Sequence, residues 1–204
     1  IKTHSGLSDI NGHQFTNLNN SLGVIYIVRD PRSVVKSYAN HNQMSLDRAS
    51  DRMLEFGATL GGIKNSKNDA DRIFTYMNSW SSNYQSWKVF KKFDRYLLIK
   101  YEDMIKDKKN VFLSILEFIH KLSKSKFMLD ENKLKNLLET TSFEYMKNLE
   151  KKKGFEESVK IKDSKKITFF KYGPKINKPE SLPAEIKKKL EISLKKEMEE
   201  LGYL

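Results

Sequence analysis

The chain has 204 residues, of which 38% are hydrophobic and 11% aromatic. This length and composition suit one folded domain with a single core, and we take residues 1–204 as that domain. No apolar run reaches the ~18 residues of a transmembrane helix, and no secretory signal is visible. Cysteine is absent, which excludes disulfides and favours a reducing compartment, so a cytoplasmic protein is expected.

The net charge of +12 would attract a polyanion, an acidic membrane or a phosphorylated small molecule. Much of the excess is lysine within 147–196, and we interpret most of it as solvent-facing helix surface. The basic residues are not interleaved with aromatic residues in a recognised RNA or DNA motif. We therefore expect no nucleic-acid partner, and a basic nucleic-acid-binding module stays as an alternative.

The predicted elements alternate between strands and helices. Residues 1–4 are expected to end a strand, and the β-branched run 24–28 predicts a strand buried on both faces of a parallel sheet. Asp30 and Pro31 are typical of a helix start. The first expected helix follows Asp30 and ends near residue 41. Further helices are expected over 46–57, 70–93, 108–122 and 130–139, then a short one that ends near 148, and a last one over 183–201. A second strand is expected at 96–99. This order predicts an α/β fold with a mostly parallel central sheet flanked by helices.

Three polar residues follow predicted strands, namely His4, Arg29 and Tyr101. In parallel sheets, ligands bind beyond the carboxyl ends of the strands. Arg29 presents a planar fork that fits phosphate oxygens, and the next helix points free N–H groups at the same space. Ser37, two turns into that helix, would add a hydroxyl. The alternative is an Arg29–Asp30 pair that only tethers a loop.

Residues 27–38 resemble the 3′-phosphate-binding motif of the sulfotransferases that use 3′-phosphoadenosine-5′-phosphosulfate (PAPS). In that family an Arg ends a strand and a Ser follows eight residues on, as Arg29 and Ser37 do here. Lys2-Thr3-His4 is similar to the family's Lys-Thr-His segment, whose His is the catalytic base. The resemblance implies that His4 is the base, and Lys2 would stabilise the bridging oxygen. The alternatives are a packed loop histidine and an exposed lysine.

Three later segments extend the resemblance in the same order. Residues 100–104 look like the family's Tyr-Glu-Asp-Met stretch, which implies that Tyr101 borders the adenine. Residues 141–147 resemble a Ser-Phe-x-x-Met-Lys segment, which implies that Thr141 and Phe143 lie at the adenine. Residues 169–173 resemble the late Arg-Lys-Gly loop that closes over the 3′-phosphate. The contacts implied for this loop are Phe169, Phe170, Lys171, Tyr172 and Gly173.

Five motifs in the right order identify the chain as resembling a PAPS-dependent sulfotransferase, although each motif alone is weak. The resemblance implies a P-loop-NTPase-like sulfotransferase fold, PAPS as donor and PAP as product. The acceptor would be a hydroxyl or amine of a small molecule or glycan. No His, Cys, Asp or Glu cluster has metal-ligand spacing, so no metal is expected.

Two departures from the family pattern leave alternatives open. The late loop reads Lys171-Tyr172-Gly173 in place of Arg-Lys-Gly, so we expect either a looser clamp on the 3′-phosphate or the use of Lys175 or Lys178 instead. The Pro-Lys-Ser-Gly-Thr-Thr loop that cradles the 5′-phosphosulfate is not in the sequence, and we expect it ahead of Ile1. A kinase-like nucleotide-binding protein and an inactive sulfotransferase-fold binding protein therefore remain alternatives.

Overall fold

Two parallel strands form the centre of the fold. The computed structural model describes residues 1–60, 75–155, 168–171 and 181–204. The strands are β1 (Asp9–Ile10), β2 (His13–Gln14), β3 (Val24–Val28), β4 (Thr59–Leu60), β5 (Thr75–Tyr76) and β6 (Tyr96–Lys100). The helices are α1 (Pro31–Asn42), α2 (Leu46–Leu54), α3 (Trp80–Trp87), α4 (Tyr101–Lys106), α5 (Lys108–Ser123), α6 (Glu131–Thr140), α7 (Phe143–Lys153), α8 (Ala184–Ser193) and α9 (Lys195–Glu200), and Lys88–Phe93 and Phe169–Lys171 are 3-10 helices.

Strands β3 and β6 pair in parallel, with Val24 opposite Tyr96 and Val28 opposite Lys100. Each strand is followed directly by a helix, α1 after β3 and α4 after β6. Two short antiparallel strand pairs, β1 with β2 and β4 with β5, accompany the parallel pair. The predicted α/β class with a parallel sheet is therefore confirmed.

Several predicted bounds differ from the structure. Residues 1–4 form no strand. Residues 70–74 of the helix expected over 70–93 lie outside the described residues, and Thr75 and Tyr76 form β5. Helix α3 begins at Trp80, because Asn78 adopts a positive φ of 64° and the Ser79 hydroxyl caps the helix by accepting from the Ser82 N–H. The closing helix divides at Leu194, where φ is −115°.

The main core lies between α1, α2 and the two C-terminal helices. Val35, Ala49, Leu190 and Met198 are at most 1% exposed there. Burying an aliphatic side chain of this size contributes about 1.5–3 kcal/mol relative to leaving it in water. This packing fixes α1, and with it the end of β3, against the C-terminal segment.

Strand β3 is buried on one face only, so the prediction of burial on both faces is wrong. Val28 is 3% exposed and packs near Tyr84, whereas Ile25 and Ile27 are 37% and 57% exposed. The side of the strand that carries the two isoleucines is therefore exposed, whereas the side that carries Val28 is buried. Successive strand residues point to opposite faces, so this burial pattern alternates along the strand.

A partly buried ionic network holds the turn between β3 and α1. The Asp30 carboxylate caps α1 by accepting from the Arg32 N–H at 2.9 Å, and it also pairs with the Arg32 guanidinium at 2.7 Å. The same guanidinium pairs with Glu191 at 2.6 Å and donates to the Tyr203 carbonyl at 2.8 Å. Glu102 accepts from the Asp30 N–H at 3.1 Å and from the Tyr203 hydroxyl at 2.9 Å. Hydrogen bonding to Asp30 is the largest influence raising the pKa of Arg32.

Gly23, which precedes β3, has no room for a side chain. The Val24 N–H donates to the Arg95 carbonyl at 2.8 Å, and a Cβ on Gly23 would lie 2.9 Å from that carbonyl oxygen and closer still to a Leu122 methyl. We expect Gly23→Ala to lower the free energy of unfolding by about 1–3 kcal/mol, as overpacked sites do. Urea denaturation measures the loss.

Gly6→Ala is the matched control for this substitution. A Cβ at Gly6 would meet its nearest heavy atoms at 3.5 Å, which is ordinary van der Waals contact. An equal loss of stability in both variants would show that position 23, just before β3, tolerates a methyl group as well as position 6 does.

None of the helices in the described parts of the chain has the length and apolar character needed to cross a membrane.

Candidate functional site

A groove of about 1270 Å³ lies along β3, and all five residues of the strand line it. Lys2, His4 and Arg29 line it, together with Ile25 and Ile27 from the strand. Pockets for small ligands usually measure about 300–1,000 Å³, so this groove is large enough for a nucleotide or an acceptor. Three of the predicted site residues therefore share one concavity.

His4 is positioned by α3 rather than by a strand. The Asn83 side-chain amide donates to the His4 carbonyl at 3.1 Å, and the Trp87 indole N–H donates to the next carbonyl, that of Ser5, at 3.0 Å. Ser5 is buried, whereas the His4 side chain is exposed and its imidazole forms no hydrogen bond within the described residues. The main chain is thus anchored while the ring faces the groove.

Arg29 and Tyr101 meet at the carboxyl edge of the parallel pair, as their positions after two strands predict. The Arg29 guanidinium carbon lies 4.3 Å from the centroid of the Tyr101 ring. This is cation–π geometry, and it contributes about 0.5–1 kcal/mol where the pair is partly exposed. Arg29 has no carboxylate partner in the part of the chain that the structure describes.

The alternative in which Arg29 pairs with Asp30 is wrong, because the Asp30 carboxylate is bound by Arg32. The expectation that α1 offers free N–H groups is also wrong. Asp30 accepts from the Arg32 N–H through its side chain and from the Ser33 N–H through its carbonyl. Arg29 itself, rather than the helix end, is then the group available to an anion.

Ser37 lies one helical turn before His41, so the two side chains share a face of α1. The Ser37 hydroxyl donates to the Val34 carbonyl at 2.9 Å. The ring of Phe169 stands edge-on to the His41 imidazole, with centroids 6.1 Å apart. The late 3-10 helix therefore approaches α1 close to Ser37.

An aromatic cluster of Phe143, Phe155, Phe169 and Phe170 joins α7 to this 3-10 helix. Phe143 and Phe170 have centroids 6.0 Å apart, and Phe155 lies 4.6 Å from Phe169 and 5.3 Å from Phe170. Glu150 accepts from the N–H groups of Phe169 and Phe170, at 2.6 Å and 2.9 Å. Phe143, a predicted adenine contact, is thereby brought together with Phe169 and Phe170, two of the predicted contacts of the late loop.

Thr141 stands at the end of α6, next to the aromatic cluster in sequence. Its hydroxyl donates to the Leu137 carbonyl at 2.5 Å, and its own carbonyl accepts from the Lys108 ammonium at 2.6 Å. These bonds satisfy carbonyl groups at the helix end. Burial lowers the pKa of Lys108. The adenine contact of Thr141 stays a prediction.

The late loop is described only in part. Lys171 ends the 3-10 helix, and the predicted contacts Tyr172 and Gly173 lie outside the described residues, as do Lys175 and Lys178. No group of three His, Cys, Asp or Glu side chains that could hold a metal ion occurs in the described ranges.

Sequence reasoning missed the residues that position the site. Phe155 and Glu150 were not singled out, although Phe155 directly follows the Gly154 cap of α7. Glu102 stands inside the Tyr-Glu-Asp stretch, but its hydrogen bonds to Asp30 and Tyr203 depend on tertiary contacts. His41 belongs to no motif in the sequence, and only the structure brings it to Phe169.

Comparison with known proteins gives a consistent assignment. A family model described as "Sulfotransferase domain" matches residues 2–202. Among solved structures, the crystal structure of mouse sulfotransferase SULT7A1 complexed with PAP matches with a TM-score of 0.51 and 16% identity. The alignment covers 86% of this chain and 58% of that chain, so the present chain spans less than two thirds of the mouse protein. No curated protein matches. The chain belongs to the sulfotransferase family and has the sulfotransferase fold.

Proposed function

We propose that this chain forms the nucleotide-binding and base-bearing part of an enzyme that transfers a sulfuryl group from PAPS to a hydroxyl or amine. The observation that carries the proposal is the Arg29–Tyr101 contact at the carboxyl edge of two parallel strands, beside the groove that His4 lines. Ligands of α/β sheets bind at this edge.

Arg29 is suited to the 3′-phosphate because no carboxylate of the described residues binds its guanidinium, which stacks on the Tyr101 ring. Its stacking on Tyr101 contributes about 0.5–1 kcal/mol, whereas hydrogen bonds between charged groups contribute about 1.5–3 kcal/mol. A phosphate would therefore displace the Arg29 guanidinium from the Tyr101 ring, or bind it while it remains on the ring. Arg32, the neighbouring arginine, is already bound by Asp30 and Glu191.

Ser37 and the aromatic cluster would complete the nucleotide site. Ser37 would exchange its neutral bond to the Val34 carbonyl for a bond to a phosphate oxygen, and charge-assisted bonds are roughly twice as strong. Tyr101, Phe143, Phe169 and Phe170 offer flat apolar surfaces, and stacking on an aromatic ring contributes about 1–3 kcal/mol per base. Thr141 and residues 171–173 belong to the proposed site by their match to the family motifs.

The chemical step would be an in-line displacement at sulfur. The acceptor oxygen or nitrogen forms a bond to sulfur while the bond from sulfur to the 5′-phosphate oxygen breaks, so PAP leaves with that oxygen. The acceptor proton goes to the exposed imidazole of His4, and Lys2 stabilises negative charge on the leaving oxygen.

The test of the nucleotide site is the affinity for PAP and for AMP, which differ by the 3′-phosphate. We expect Arg29→Ala to weaken PAP binding by about 1.5–3 kcal/mol, roughly 10- to 150-fold, and to leave AMP binding unchanged. Isothermal titration calorimetry measures both affinities.

Two control variants sharpen this test. Arg29→Lys keeps the charge but loses the bidentate fork, so it should fall between the wild type and alanine. Arg48→Ala removes an exposed arginine from α2 and should bind PAP as the wild type does. Equal losses for PAP and AMP in Arg29→Ala would contradict the assignment to the 3′-phosphate. Tight binding of ADP with no preference for PAP would favour the kinase-like alternative.

A further inference from the structure

Glu150 stands apart from the other charged residues at the end of α7, because its carboxylate binds main-chain N–H groups of a distant segment. One carboxylate oxygen accepts from the Phe169 N–H at 2.6 Å, and the other accepts from the Phe170 N–H at 2.9 Å. Three lysines, Lys151, Lys152 and Lys153, follow directly and are exposed. A bidentate carboxylate is an effective acceptor for two adjacent N–H groups, since both bonds are charge-assisted.

The two N–H groups begin a three-residue 3-10 helix, Phe169–Lys171. The first N–H groups of a helical turn have no partner within the turn. Glu150 supplies an acceptor oxygen to each of the two. The turn is therefore fixed to α7 by a side chain 19 positions earlier in the sequence.

The position of this turn decides where two aromatic rings lie. With the turn held, Phe170 packs on Phe143 with centroids 6.0 Å apart, and Phe169 stands against His41 with centroids 6.1 Å apart. Phe155 packs against both rings of the turn. Because Phe143 belongs to the same helix as Glu150, one helix carries both the ring and the carboxylate that set the geometry of the aromatic cluster.

From these contacts we infer that Glu150 is a positioning residue for nucleotide binding. Its carboxylate holds the Phe169–Phe170 turn against α7 before the nucleotide binds. The inference rests on the proposed function, because it concerns the same nucleotide site. A preformed site binds more tightly, since the ordering of the turn is not left to the ligand. Glu150 touches no reacting atom in this account, so its removal should act on binding rather than on the chemical step.

The test combines hydrogen exchange with nucleotide affinity. In Glu150→Ala without ligand, amide exchange at Phe169 and Phe170 should speed up about ten-fold or more, because each loses a charge-assisted hydrogen bond. The affinity for PAP should fall by a similar factor. In turnover, the KM for PAPS should rise while kcat is kept, which is the signature of lost uniform binding. Glu150→Gln keeps one acceptor oxygen and should give an intermediate loss.

Glu144→Ala is the matched control, because Glu144 is an exposed carboxylate on the same helix that forms no hydrogen bond within the described residues. It should leave the exchange rates and the PAP affinity unchanged. Unchanged amide exchange at Phe169 and Phe170 in Glu150→Ala would show that Glu150 does not hold the turn in place. Faster exchange with unchanged PAP affinity would overturn its role in nucleotide binding. If the wild-type protein binds no PAP, the proposed function fails, and the role of Glu150 in that site fails with it, while the exchange rates still report the hydrogen bonds.

Discussion

Replacement of His4 by alanine is expected to lower the rate of sulfuryl transfer about 10²- to 10⁴-fold, the usual contribution of a general base. The imidazole is exposed at the groove, and its main chain is anchored by Asn83 and, one residue on, by Trp87. Removal of the ring should therefore leave the fold intact. Because Arg29 and the aromatic cluster bind the nucleotide in our proposal, PAP affinity should stay at the wild-type value. Steady-state kinetics with PAPS and calorimetry with PAP measure the two quantities.

A second histidine variant separates the loss of a base from a general effect of removing an exposed imidazole. His13→Ala removes another exposed histidine, located on β2, and should keep the wild-type rate. Wild-type turnover in His4→Ala would exclude His4 as the base.

Local sequence patterns predicted the central elements of the fold well. The apolar runs at 24–28 and 96–99 correspond to β3 and β6, and the Asp30-Pro31 pair starts α1 as expected. These features depend on neighbouring residues, because β-branched runs favour strands and Asp caps helices. The burial of the β3 face that carries Ile27 could not be predicted in this way. Burial depends on which distant elements cover a strand, and an apolar run of five residues carries no information about them.

The same distinction applies to the site. Arg29 and Tyr101 could be expected to meet, because each follows a strand and parallel strands end at one edge. The partners of Arg32 could not be predicted, since Glu191 lies 159 positions away in the sequence. The pairing of Asp30 with Arg32 instead of Arg29 could not be predicted either, because both arginines are near neighbours of Asp30 in the sequence. Tertiary packing decides which guanidinium stays available to a ligand.

Arg32→Met is expected to lower the free energy of unfolding by about 3–5 kcal/mol, the usual loss when one partner of a buried ion pair is removed. The substitution keeps much of the side-chain volume but leaves Asp30, whose side chain is 8% exposed, without its cation. It also breaks the links to Glu191 and to the Tyr203 carbonyl, which tie α1 to the C-terminal segment. Chemical denaturation in urea measures the loss. Arg48→Met, at an exposed position on α2, is the control and should change stability little.

A second substitution shows whether the uncompensated charge causes the loss. Asparagine at position 30 still caps a helix but carries no charge, so Asp30→Asn should recover part of the stability of Arg32→Met. Contacting residues of this kind show coupling energies of about 0.5–3 kcal/mol in a double-mutant cycle. Additive effects of the two substitutions would mean that Asp30 and Arg32 do not stabilise one another. A recovery would identify the Asp30–Arg32 pair as the contact that occupies the Arg32 guanidinium.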